Sequence, residues 1–126
     1  MLKTNIIEKA LLQNNVSENG MLLIKTDTTI TFSINLLRML VLLLFNFFLK
    51  EMAEEDKQYE FIMTNFETIL DIVTTELEIA LHNFITLYTG ELEEIVELHN
   101  KDECLLVIAI QDKVNKKLEK LIKKEV

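Results

Sequence analysis

Proline and tryptophan are absent from this sequence of 126 residues, and glycine occurs only at Gly20 and Gly90. With helix breakers this scarce, nothing in the chain forbids long helices. The two glycines stand alone, so there is no glycine-rich loop to cradle a phosphate. A single cysteine, Cys104, excludes an internal disulfide framework and gives no reason to invoke an oxidising compartment. Arginine also occurs once, at Arg38, and the other twelve basic residues are lysine.

What the sequence has in abundance is apolar side chains, at 49% of residues with a mean hydropathy of +0.20. They concentrate in residues 34–49, INLLRMLVLLLFNFFL, where only Asn35, Arg38 and Asn46 are polar. A helix apolar nearly all round must be buried on nearly all sides. The rest of the chain is therefore either a jacket for it or one half of an oligomer that jackets it. As a helix the run is about 24 Å long, short of the roughly 30 Å of a bilayer core. Arg38 shortens the uninterrupted part further, which favours a buried core helix. On a wheel of about 100° per residue, Asn35, Arg38 and Asn46 share a stripe roughly 80° wide. One reading makes that stripe the solvent side of the helix. The other puts Arg38 inside, facing a carboxylate or an anionic ligand, since a buried guanidinium needs a partner.

The net charge of −8 is unevenly laid out. Residues 1–50 hold five basic and three acidic side chains; residues 51–103 hold two and fifteen; residues 104–126 hold six and three. The acidic middle argues against direct nucleic-acid binding, which needs clustered Lys or Arg on phosphates. The basic tail suits pairing with that middle, within one chain or between chains.

In chain order, Ile6, Ile7, Ala10 and Leu11 predict a short helix over 2–14. Asn19-Gly20 is the strongest turn signal. The β-branched stretch 21–34 predicts a hairpin with strands near 21–26 and 29–33 turning at Asp27-Thr28, against an extended lead-in with Ser33 as N-cap. The acids Glu54, Glu55 and Asp56 suit the first turn of a new helix and place a break at 54–56, the rival being one uninterrupted helix. Residues 57–89 carry a stripe of Tyr59, Ile62, Phe66, Ile69, Val73, Leu77, Ala80, Phe84 and Leu87. A second face carries Glu60, Thr64, Glu67, Asp71, Thr74, Glu78, His82 and Thr86, and Ile72, Ile79, Leu81 and Ile85 widen the apolar surface. Gly90 ends or kinks this helix, a short amphipathic piece covers 91–99, and Asn100 with Glu103 resembles a capping box. A last helix is predicted over 101–124, with Leu106, Ile110, Val114, Leu118 and Leu121 as its stripe.

Little in this pattern carries chemistry. Glu78 and His82 share a helix face, but the Glu-x-x-His pair of di-iron bundles is missing, and Glu97 and His99 fall on different faces. Cys104 would be a nucleophile only with a histidine beside it as base; a small buried side chain is the ordinary role. Tyr59 and Tyr88 read as packing. No enzyme, metal or cofactor is expected.

The sequence is read as one cytoplasmic domain, a mostly α bundle of three main helices with an N-terminal short helix and a small β-hairpin. The expected function is that of a non-enzymatic interaction protein, self-associating and acting as a regulator or inhibitor of the kind a mobile element encodes. Its acidic region 51–103, with Glu60, Glu67, Asp71 and Glu78, would bind a macromolecular partner by charge complementarity, one version being a mimic of nucleic acid. A second class is an oligomeric binder of an anionic small molecule such as a nucleotide, held by Arg38 with Asn35 and Asn46. Arg38 could instead pair with Glu67 or Asp71 and serve architecture alone. A third class is a membrane-associated protein of the immunity type.

Overall fold

The computed structural model describes residues 5–25, 31–87 and 104–125. The elements are α1 (Asn5–Gln13), β1 (Met21–Lys25), β2 (Thr31–Asn35), α2 (Leu36–Glu51), α3 (Glu55–Leu87) and α4 (Cys104–Glu125). The architecture is the expected one: a mostly α bundle with a small antiparallel hairpin. The predicted turn at Asp27-Thr28, the end at Gly90, the piece at 91–99 and the cap at Asn100 all lie outside the described residues, as does Tyr88.

Helix α1 stops because Asn15 takes a left-handed conformation, φ 67°. Its N–H donates to the Leu12 carbonyl at 3.0 Å and the Val16 N–H donates to that of Leu11 at 3.1 Å. This is a Schellman ending, sealed by the buried side chains of Val16 and Leu11. Asparagine is among the few residues that adopt this backbone readily.

The hairpin pairs Met21 with Asn35 and Leu23 with Ser33, so these four residues face away from the core. Leu22, Ile24 and Ile34 point inward, packed in or against the core. Ladder pairing holds residues 33–35 extended, which removes Ser33 as the cap of the next helix. Asn35 takes that place: its side chain accepts from the Arg38 N–H at 3.0 Å. Helix α2 therefore occupies residues 36–51, two residues later than the predicted 34–49.

Helix α2 is jacketed by its own chain. Met39, Leu40, Leu43, Leu44 and Phe47 are at most 1% exposed. Helices α1, α3 and α4 and strand β2 all pack on the cluster it belongs to. At its C-terminal end, the rings of Phe47, Phe48 and Phe61 form a triangle with centroids 5.7 to 5.9 Å apart. No helix among the described residues is long and apolar enough to cross a membrane.

The chain leaves the helix at 52–54, and α3 begins with Glu55 and Asp56 in its first turn. Gln58 secures this junction, its side chain donating to the Met52 carbonyl at 2.7 Å. Tyr59 ties α3 to α1 through a hydrogen bond from its hydroxyl to Gln13 and a ring face under Lys9. Helix α3 is kinked at Asn65 (φ −116°, ψ 16°), whose side chain donates to the Phe61 carbonyl four residues back. Its predicted stripe is buried at Ile62, Ile69, Val73 and Leu77, and Leu81 joins it; Ile79 instead faces solvent. On α4, Leu106, Ile110, Val114 and Leu118 are buried as the spacing predicts.

Truncating Leu43 to alanine removes a fully buried side chain from the centre of this cluster. The expected loss is about 2–5 kcal/mol of unfolding free energy in a denaturant titration. A loss below about 0.5 kcal/mol, typical of surface sites, would place α2 elsewhere.

Candidate interaction surface

The polar stripe read on the central helix does not form one site. Asn35 is spent on capping α2, with a second, longer contact of 3.4 Å to the Glu18 carbonyl. Arg38 is exposed and has no ion pair with any described residue; Glu67 and Asp71, its suggested architectural partners, are exposed as well. The solvent-facing reading of Arg38 therefore stands, and the buried one is corrected. The reason lies in the jacket: the elements packed around α2 leave Arg38 on the open side, so desolvating its guanidinium is avoided.

Asn46 faces α4. Its side-chain amide donates to Gln111 Oε1 at 3.0 Å, and Gln111 Nε2 donates in turn to the Leu43 carbonyl at 3.0 Å and to Asn115 Oδ1 at 2.8 Å. Asn115 is 7% exposed. These three amides satisfy one another across the α2–α4 seam and fix its register, since sliding α4 would break hydrogen bonds of half-buried amides and strand the buried Asn115 oxygen.

A second polar tie joins α3 to α4. Glu76 Oε1 meets Lys117 Nζ at 2.6 Å, with the Glu76 side chain 5% exposed and that of Lys117 42% exposed. The amide cluster was not expected from the sequence; this pair is one instance of the expected pairing between the basic tail and the acidic middle, and a signal for Glu76 in particular was present. Glu76 follows Ile72 by four and Val73 by three, so it stands inside the apolar stripe of α3, where a charge needs a partner.

The four acids nominated on α3 are brought together. Glu60, Glu67, Asp71 and Glu78 are all exposed; beyond the kink at Asn65 the helical repeat puts Glu67, Asp71 and Glu78 within an arc of about 40°, and Glu60 precedes the kink. Seen along the helix from Glu67, Asp71 and Glu78, Glu76 lies roughly 140–180° away, so the acidic row is turned away from α4. The only ion pairs among the described residues are Lys57–Glu54 and Lys117–Glu76, so no described residue pairs with the row. His82 continues the same face and is exposed, yet no group of three His, Cys, Asp or Glu that could hold a metal gathers among the described residues. The side chain of Cys104 lies outside the described residues. An apolar cleft of about 310 Å³ opens between Ile7, Phe45, Phe48, Leu49 and the start of α3, away from the acidic row. What the row can do is electrostatic: draw in and orient a cationic surface.

The chain matches no protein-family model, and no curated protein or solved structure is found to be similar to it.

Four variants separate these roles. Lys117→Met should destabilise the fold by about 1–3 kcal/mol, because Glu76 is left buried without its partner; solvent at Lys117 keeps this below the figure for a fully enclosed pair. Glu76→Met combined with Lys117→Met should recover most of that loss in the same denaturant titration. Arg38→Ala, by contrast, should stay within about 0.5 kcal/mol of wild type, while Asn35→Ala loses about 0.5–2 kcal/mol with the cap.

Proposed function

We propose that this chain is a non-catalytic helical interaction protein that self-associates and binds a basic macromolecular partner through the outer face of α3, as a regulator or inhibitor would. One observation carries the proposal: Glu60, Glu67, Asp71 and Glu78 form an exposed row without an ion pair to any described residue. Like charges aligned on one face repel one another, and that repulsion is relieved when a cationic surface arrives. Such a face contributes more to association rate and selectivity than to affinity, and it weakens as salt screens it.

The anionic-ligand reading has no comparable support. Asn35, Arg38 and Asn46 serve a cap, the solvent and the α4 seam in turn, so no described pocket gathers them.

Poly-lysine is a suitable first probe. Neutralising the row (Glu60→Gln, Glu67→Gln, Asp71→Asn, Glu78→Gln) should weaken binding at low ionic strength about tenfold or more, equivalent to about 1.4 kcal/mol. The control neutralises four exposed acids elsewhere, Glu8, Glu18, Glu51 and Asp112, and should bind nearly as wild type. Equal losses in both variants would mean that net charge, and not this face, governs binding.

A further inference from the structure

We infer that the cationic surface accepted by the α3 row is the lysine face of α4 on a second copy of this chain. The inference rests on the reading of the row as a docking face and names its occupant.

Helix α4 has an outer face made of Lys113, Lys116, Lys120 and Lys123, all exposed and without an ion pair to any described residue. Asp112, exposed, and Glu119, half-buried, border it and leave it net positive. The one lysine of this group that turns inward, Lys117, already binds an α3 acid in the same chain, Glu76. Lys113, Lys116, Lys120 and Lys123 point outward, and the α3 row points away from α4.

The two faces also match in spacing. On α3, Asp71 and Glu78 stand seven residues apart in the regular helix beyond the kink at Asn65, with Glu67 on the same face. On α4 the lysines recur at the same interval, Lys113 to Lys120 and Lys116 to Lys123. Seven residues advance a helix by about 10.5 Å, so two lysines can meet two acids at once when one helix lies along the other. Because acceptor and donor faces lie on different sides of the molecule, the contact is heterologous. It builds head-to-tail chains or a ring, and not an isologous pair. Exposed ion pairs are individually weak, so the assembly is loose, concentration-dependent and dissolved by salt.

The test is the mass in solution by light scattering over a range of concentrations, at about 0.01 M salt, where charges act over about 30 Å, and at about 1 M, where they act over about 3 Å. Wild type should grow in mass with concentration at low salt only. Reversing the α3 row to lysine, or the four α4 lysines to glutamate, should each abolish that growth. Reversing both in one chain leaves the net charge unchanged and should restore it. Circular dichroism checks folding, and the neutral glutamine and asparagine variants replace any reversal that misfolds. A wild type whose mass never grows, or single reversals that still assemble, overturn the inference. If poly-lysine still binds the α3 row in that case, the docking face stands and only its occupant was wrong; if it does not, both fall.

Discussion

The constraint on which this structure depends is the apolar circumference of α2. Sixteen residues with so few polar side chains cannot sit at a surface, and a single packed neighbour covers only one side. The chain answers by laying α1, α3, α4 and the hairpin around the same cluster. Each helix contributes one apolar stripe and keeps a mostly polar outer face, while the hairpin leaves Met21 and Leu23 exposed on its outer side. The long acidic helix and the lysine-rich helix are thus consequences of the same requirement: their inward stripes serve α2, and their outward charges remain available.

Polar ties then decide how the jacket is arranged. Apolar stripes specify which face is inward but tolerate sliding along the helix axis. The amide cluster of Asn46, Gln111 and Asn115 and the Glu76–Lys117 pair do not, because each has a single geometry in which its buried groups are satisfied. Their value is specificity more than net stability, since buried pairs repay their desolvation only partly. They also settle the charge layout, by consuming one acid and one lysine between α3 and α4 and leaving the rest to face outward.

Much of this was legible from periodicity. The buried positions Ile62, Ile69, Val73 and Leu77 and the exposed positions Glu60, Glu67, Asp71 and Glu78 both follow from steps of three and four. What failed did so for identifiable reasons. Asn35 fits a polar stripe and a helix cap equally well, and only the strand pairing that holds it extended decides between them. Gln111 and Asn115 each follow a buried stripe residue by one; whether that flank is wet or dry depends on where α2 lies, which a one-dimensional pattern does not encode. Asn65 lies in the middle of a periodic run, yet its side chain competes for the carbonyl four residues back and bends the helix there.

The most direct test of self-jacketing is native-state hydrogen exchange of the α2 amides at a series of protein concentrations. If the chain itself encloses α2, the amides of residues 39–48 should exchange only through global unfolding, and dilution should leave their protection unchanged. Protection that falls on dilution, or α2 amides that open well before those of the buried part of α3, would mean that a second chain supplies part of the jacket, and the central claim would fail.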